Sequence, residues 1–307
     1  MTLPRVLAIV ASEMSAPERV PTLPPTLGGQ AVVEGVMIRG PRGAAVCVRK
    51  PDGEIACHTQ RSEGVSFLRT VPLLRGIVAL GETLTQGMRA MIWSAQIAAG
   101  QEPKEPGEGQ VRATAAASLG FAAAVFLLAP ALATRRLERA AGRSRRGALL
   151  EGLARVGTLV GYLRAVGRLP QAQRLFAYHA AEHRAIQAYE AGAPLEVDSL
   201  RRFPNAHVRC GTSFLLTTTL VSTALYAALG PQPVGGRLLS RVALMPLVAG
   251  LSYEAIRLAG ASPQGARRWL FRPNLALQAL TTRDPDEAQM EVALAAIRVA
   301  LDLHQGG

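Results

Sequence analysis

Cysteine is scarce in this chain. Only 3 of its 307 residues are cysteine, and so small and odd a number argues against a disulfide framework and fits a reducing compartment. Cys47 and Cys57 are explained most simply as small apolar strand residues. With His58 they offer an alternative, a second metal site. The composition therefore predicts a protein that does not rely on disulfides.

Acidic and aromatic residues are also few. Asp and Glu number 22 against 34 Lys and Arg, which gives a net charge of +12 and a pI near 10.8. Aromatic residues are 5% of the chain and no base-stacking or groove-reading motif appears, so nucleic acid is not an expected partner. No glycine-rich phosphate loop precedes a predicted helix. The basic excess is mostly arginine beside apolar segments, so we expect anionic headgroups of membrane lipids as partners.

Long apolar segments are the first positive feature. Hydrophobic residues make up 49% of the chain, charged residues 18%, and the mean hydropathy is +0.18. Four segments approach the length that crosses a bilayer, residues 76–99, 113–134, 213–230 and 238–256. Glu82 and Arg89 weaken the first of them. We predict a mainly α-helical multi-pass membrane protein; the alternative is a soluble protein whose apolar runs are buried helices.

The positions of the arginines predict an orientation. They cluster after residue 134, around residues 164–184 and after residue 256, whereas the linker 101–110 carries three Glu and one Lys. Because basic residues favour the cytoplasmic side, we expect an inner (plasma) membrane protein with both termini cytoplasmic and this linker outside. Residues 147–167, which include Glu151, Arg155 and Arg164, fit an interfacial or re-entrant helix.

The chain divides into four predicted regions. They are a poorly ordered tail over 1–27, a β-rich cytoplasmic subdomain over 28–72, a membrane helical domain over 73–260 and a C-terminal cytoplasmic amphipathic helix within 261–307. The β subdomain is predicted to have one strand over 31–38 and a hairpin around Pro51-Asp52-Gly53. Gly28 and Gly29 indicate a tight turn into the first strand.

The C-terminal helix has a recognisable start. Asp284 is the expected N-cap, followed by Pro285 in the first turn and Glu287 as the capping-box acid. The apolar stripe that follows predicts that this helix packs on the β subdomain or on the membrane face.

The most informative motif is H-x-x-E-H, formed by His179, Glu182 and His183. Good helix formers surround it, and Gly192 with Pro194 follows, so we predict a cytoplasm-facing helix over 170–191. Two histidines four residues apart lie on one helical face and can hold one zinc ion, with the glutamate as general base. The simpler alternative is a helix with two surface histidines.

A third ligand is expected from His207 or Cys210, which follow about two dozen residues later. Three protein ligands leave a position open for catalysis, whereas all four would close the site and make it structural. Arg209 is the expected group that stabilises an oxyanion. Cys210 is alternatively a nucleophile paired with His207. Glu190 lies too far along the helix to share the same ligand shell.

Two further acids carry open alternatives. Glu34 is either a polar strand position or a group that approaches the metal site. Glu254, near the end of the last apolar segment, is either a fourth metal ligand or the ion-pair partner of Arg257 one turn away.

Five segments together resemble the YqhQ-like family of bacterial proteins, catalogued as a domain of unknown function. They are GGQAVVEGVMIRGP at 28–41, YHAAEHR at 178–184, HVRCGTSF at 207–214, GLSYEAIRLAG at 250–260 and LTTRDP at 280–285, in one order across residues 28–301. The resemblance implies a multi-pass membrane protein with a metal site and a metal-dependent activity. Ala180 and Val208 stand where the family has glycine and proline.

Three functions follow as hypotheses. The first is a membrane-embedded zinc hydrolase, a peptidase or an esterase, that acts on a membrane-associated substrate, with Glu182 taking the proton of the attacking water. The second is a membrane assembly or scaffold protein with a closed structural metal site. The third is a transporter, suggested by Glu82, Arg89, Arg241 and Glu254 within the apolar segments.

Overall fold

A computed structural model gives the architecture over residues 26–61, 67–130, 145–207, 209–230, 232, 234–260 and 273–305. The described chain is mainly helical, with a small antiparallel sheet at its N-terminal end, as the sequence predicts. Only the last two residues of the predicted tail over 1–27 fall within the described residues.

The described residues form α-helices of different lengths. They are α1 (Leu74–Ala98), α2 (Glu108–Ala123, continued as a π-helical turn to Leu128), α3 (Arg145–Val166), α4 (Pro170–Glu190), the short α5 (Val197–Leu200), α6 (Gly211–Leu229), α7 (Val234–Gly260) and α8 (Glu287–Gln305). The helix predicted over 170–191 is thus observed as α4, which starts with Pro170 in its first turn, where proline is favoured.

The sheet is a meander of four strands in chain order. They are β1 (Gly28–Val32), β2 (Gly35–Gly40), β3 (Gly43–Arg49) and β4 (Ile55–Arg61). The hairpin predicted around Pro51-Asp52-Gly53 is confirmed, and Gly53 has a φ of 90°. The single strand predicted over 31–38 is wrong, because the chain reverses at Glu34, whose φ of 50° lies in the left-handed region.

Both faces of the sheet are covered by helices. The face that includes Ile38 and Cys47 packs on α4 and α8, and the opposite face, which includes Met37 and Val46, packs on Trp93 of α1. Strand β3 is accordingly buried at every position except Arg49, as expected of a strand covered on both faces. The expectation that the C-terminal helix packs on the β subdomain is met by α8.

Two described helices are long and apolar enough to cross a membrane, the segments Gly211–Leu229 of α6 and Leu239–Leu258 of α7. Of the residues in these segments, 22% of the first and 28% of the second are buried, and the others are half-buried or exposed. Side chains such as Leu220, Leu239 and Val242 are exposed. This exposed apolar surface supports membrane association.

Helix α1 does not have the environment of a membrane span. Ala90, Trp93 and Ile97 in its second half are buried against the sheet. The linker after α1 also stays beside the sheet, since Glu105 lies 3.2 Å from His58 on β4. The predicted span over 76–99, with its linker across the membrane from the β subdomain, is therefore wrong. The predicted span over 113–134 is helical up to residue 130, and its remainder lies outside the described residues.

Helix α3 packs lengthwise along α6, and its interfacial or re-entrant position in a membrane stays a prediction. A Cβ on Gly152 would be 2.3 Å from Thr223, so the two helices touch closely there. Buried Glu151 binds the guanidinium groups of Arg155 and Arg241, and both arginines lie over the ring of Tyr226. Arg241, which suggested transport, thus forms part of the packing between helices.

The start of α8 differs by two residues from the prediction. Asp286 Oδ1 accepts the N–H of Gln289 at 2.8 Å, and Gln289 Oε1 accepts the N–H of Asp286 at 3.0 Å. This is a reciprocal capping box with Asp286 as the N-cap. Asp284, the predicted cap, instead binds Arg184 of α4 at 2.8 Å.

Cys47 and Cys57 face each other across β3 and β4 and are joined by a disulfide. The expectation of free thiols is wrong for this pair, so the cysteines no longer favour a reducing compartment. The second metal site with His58 is wrong too, because disulfide sulfurs are not thiolate ligands. His58 instead stacks on Trp93, with ring centroids 5.5 Å apart. Cys210 remains a free, buried thiol.

Candidate metal centre

Helix α4 brings the two motif histidines together as the spacing predicts. His179 and His183 are one turn apart, and their ring centroids are 4.4 Å from each other. The Nδ1 atom of His179 hydrogen-bonds the carbonyl oxygen of Thr281 at 2.8 Å, and that of His183 bonds the carbonyl oxygen of Asn205 at 2.6 Å. These bonds make Nδ1 the protonated nitrogen on each ring and leave Nε2 as the basic atom. Such backbone anchoring is typical of metal-binding histidines.

Loop 204–207, which supplies one of these carbonyls, is itself held against α4. Arg184 donates to the Asn205 side-chain oxygen and to Asp284, each at 2.8 Å, and Asn205 donates to Asp284 at 2.9 Å. The orientation of His183 therefore depends on a polar network that joins α4, the loop and the segment before α8.

Cys210 is the third member of the group. It is the N-cap of α6, where its Sγ accepts the N–H of Thr212 at 3.4 Å, and it lies 3.1 Å from His179 Nε2. The ligand atoms of His179, His183 and Cys210 all lie within 4.8 Å of one another. A zinc ion bound at about 2.0–2.3 Å needs ligand atoms about 3.5 Å apart, so small side-chain rotations bring the three into a tetrahedral arrangement.

His207 stands beside this group but points elsewhere. Its ring centroid is 5.7 Å from that of His183, and its Nε2 lies 3.2 Å from the Glu190 carboxylate. The N–H and C=O of His207 both bond the side chain of Gln278, each at 2.9 Å. Of the two predicted third ligands, the geometry brings Cys210 to the histidine pair and gives His207 a separate partner.

Arg209, predicted to steady an oxyanion, binds the same Glu190 carboxylate. Burial alone would raise the pKa of Glu190, but the hydrogen bond from His207 and the charges of His207 and Arg209 bring that pKa below its ordinary value. The expectation that Glu190 lies outside the ligand shell agrees with this arrangement. A catalytic role for Arg209 stays a prediction.

Glu182 is the most unusual group of the site. It is only 3% exposed, and its Oε2 lies 3.6 Å from His183 Nε2. Burial raises the pKa of the Glu182 carboxyl to about 7, against the opposing charges of His179 and His207. Burial also lowers the pKa of His183, which keeps that imidazole neutral as a ligand must be. A buried carboxylate that titrates near neutrality has the property a general base requires.

Gly29 of β1 lies directly on the Glu182 side chain. A Cβ at this position would be 2.1 Å from Glu182 Oε1 and 2.5 Å from its Cγ and Cδ. Only glycine permits this approach, so the sheet covers one side of the carboxylate. The predicted turn at Gly28 and Gly29 is instead part of β1.

The two remaining acids are engaged by arginines. Glu34 accepts from Arg174 of α4 at 2.6 Å, so it reaches the motif helix one turn before the histidines. Glu254 accepts from Arg75 Nε at 2.6 Å, while Arg257 Nη1 is 3.9 Å away. Glu254 thus joins α7 to α1, and its main ion-pair partner is Arg75 rather than Arg257.

Several residues that shape the site were not predicted from the sequence. The carbonyls of Asn205 and Thr281 carry no sequence signal, because any residue offers a carbonyl. Gly29 did carry one, since paired glycines at a strand suggest a close approach of the backbone.

The donor set suits zinc. Two imidazoles and one thiol sulfur are ligand types that zinc accepts, and three protein ligands would leave one position open. None of these three ligands is a carboxylate, so the group does not resemble a calcium or magnesium site.

Two comparisons with known proteins indicate the same family. A family profile described as a protein of unknown function (DUF1385) matches residues 71–303. The chain is 31% identical over 299 residues to a Bacillus subtilis (strain 168) protein described as uncharacterized protein YqhQ, covering 92% of this chain and 94% of that one. No solved structure gives a significant match.

Proposed function

The chain belongs to the YqhQ-like DUF1385 family, and we propose that it is a zinc-dependent hydrolase acting at a membrane face. In this proposal His179, His183 and Cys210 hold the metal and Glu182 is the general base. The observation that carries it is the anchoring of both Nδ1 atoms by backbone carbonyls, which leaves both Nε2 atoms on the side of the Cys210 sulfur.

Zinc in this position would supply a Lewis acid that polarises a substrate carbonyl. Glu182 takes a proton from the attacking water and later returns it to the leaving group, a role that suits a buried carboxylate beside the proposed ligands. The surrounding burial keeps other water away from the carboxylate and strengthens its interaction with nearby charges.

The site lies at one end of the proposed membrane hairpin. Cys210 caps the start of α6, and α6 and α7 then run away from the histidines and back. Both described ends of the chain, β1 and α8, pack on α4 and so share the side of the site. We propose that this side is the cytoplasmic face of the plasma membrane, because arginine-rich segments favour the cytoplasmic side and can bind anionic headgroups. The substrate is then a membrane-associated peptide or ester.

A structural metal site is the main competing function, and it needs a fourth protein ligand. His207 was the expected fourth ligand, but its Nε2 is bonded to Glu190. Transport has less support, because Glu254 and Arg241 are both paired with oppositely charged side chains. Neither alternative explains a buried Glu182 beside the histidines.

Metal analysis of the detergent-purified protein tests the proposal. We expect near-stoichiometric zinc in the wild type and in Glu182→Gln, and its loss in the double variant His179→Ala with His183→Ala. His58→Ala, which removes a histidine outside the site, is the matched control and keeps the metal. Absence of zinc from the wild type, or equal zinc in the double variant, would contradict the proposal.

A further inference from the structure

Among the residues that the structure describes, strand β1 is an edge of the sheet, since it pairs with β2 alone. The hydrogen-bonding direction of its residues follows from the register. Arg49 N–H donates to Glu34 O, so alternate residues of β2, Val36 and Ile38, direct their backbone groups toward β3. Their partners on β1 are Ala31 and Gly29.

The N–H and C=O groups of Gly29 and Ala31 therefore point away from the sheet. Within the described part of the chain, none of these four groups has a hydrogen-bond partner. Gly28 and Gly29 are exposed and carry no side chain that could obstruct an approach to this edge. The edge thus offers a short alternating row of donors and acceptors, which is the pattern that an extended chain adds to.

This edge is adjacent to the proposed catalytic group. Gly29 contacts Glu182 on the side of α4 next to His183, whose Nε2 is 3.6 Å from the carboxylate. On α4, Glu182 lies between the face that packs on the sheet, which includes Ala181 and Ala185, and the face that carries the histidines. A chain paired with β1 would therefore run past Glu182 and the metal ligands.

We propose that the outer edge of β1 binds the substrate backbone as an added strand, so that the substrate is an extended peptide segment. The inference rests on the proposed zinc site and narrows its substrate from peptide or ester to peptide. A peptide presents an N–H and a C=O at every residue and can pair with Gly29 and Ala31 together, whereas an isolated ester has no N–H to donate.

Hydrolysis of a peptide at this position forms one bond to carbon and breaks another. The oxygen of water bonds to the substrate carbonyl carbon and the C–N bond breaks. The proton that Glu182 takes from water passes to the departing nitrogen, which leaves a carboxylic acid and an amine.

The test compares two zinc-directed probes on the zinc-loaded full-length protein. Acetohydroxamate reports the metal alone, and acetyl-trialanine hydroxamate adds a backbone that can pair with β1. Ala31→Pro removes one outward N–H without removing a bond to β2, and Ala31→Ser keeps that N–H as the control. We expect Ala31→Pro to weaken the peptide probe by roughly tenfold, with acetohydroxamate and zinc content unchanged.

A second measurement does not depend on the folding of the variant. N-methylation of the backbone nitrogens of the peptide probe should weaken its binding to the wild type by a similar factor. If zinc and acetohydroxamate bind but the peptide probe gains nothing over acetohydroxamate, the β1 inference fails while the zinc site stands. If neither zinc nor acetohydroxamate binds, the zinc site itself fails. A wild-type dimer that dissociates in Ala31→Pro would show that a second copy occupies the edge, and would also overturn the inference.

Discussion

Replacing Gly29 by alanine should disturb Glu182 more than any other small change on the sheet. The added Cβ would lie 2.1 Å from Glu182 Oε1 and 2.5 Å from Cδ and Cγ. Ordinary carbon contacts are about 3.5–4.0 Å, so either the carboxylate or β1 must move by more than 1 Å. Glu182 is only 3% exposed, so its side chain is enclosed almost entirely by the protein.

Overpacking of this kind costs about 1–3 kcal/mol, which corresponds to a fall of several degrees in the melting temperature. We expect Gly29→Ala to show this fall in detergent solution and to lose most of any hydrolytic activity, because the general base is displaced. Gly28→Ala is the control, since a Cβ there meets nothing within 4 Å.

A double-mutant cycle identifies the contact responsible. Glu182→Ala removes the three atoms that the new Cβ would strike, so Gly29→Ala should cost little stability in that background. If Gly29→Ala melts like Gly28→Ala, or costs the same with and without the Glu182 side chain, then β1 does not lie against Glu182 and the description of the site is wrong.

Further predictions concern charge, ligation and helix packing. Because the folded-state pKa of Glu182 is about 7 and its ordinary value is 4.5, the zinc-free protein should lose up to roughly 3 kcal/mol of unfolding free energy as the pH rises from 4.5 through 7. Chemical denaturation at several pH values should show this loss in the wild type but not in Glu182→Gln, and parallel curves for the two proteins would contradict it. Cys210→Ser should weaken zinc binding about 10–100-fold in a chelator competition, whereas unchanged affinity would remove the thiol from the ligand set. Glu254→Gln should lower the melting temperature by weakening the contact with Arg75 but leave zinc content unchanged; loss of zinc would return Glu254 to the list of ligands.

Features that depend on near neighbours in sequence were predictable. The spacing of His179 and His183 gave the helix and the shared face, and the Pro51-Asp52-Gly53 turn gave the hairpin. The turn at Glu34 was missed because it uses a non-glycine residue with positive φ, which sequence patterns rarely signal.

Features that depend on distant parts of the chain were not predictable. Helix α1 has enough apolar residues to suggest a weak membrane span, but the apolar residues of its second half pack against the sheet. The ion-pair partner of Glu254 is Arg75, which lies 179 residues earlier. From sequence alone, the nearby Arg257 was the ion-pair partner that could be predicted. The proximity of Cys210, rather than His207, to the histidine pair likewise depends on where the chain after α5 meets α4.

Zinc K-edge X-ray absorption on the purified protein identifies the ligands of the proposed metal site. We expect two imidazole nitrogens at about 2.0–2.1 Å, one sulfur at about 2.3 Å and one light atom in the remaining position. The sulfur contribution should disappear in Cys210→Ser. A zinc ion with no sulfur neighbour, or with six oxygen neighbours, would contradict a site made by His179, His183 and Cys210.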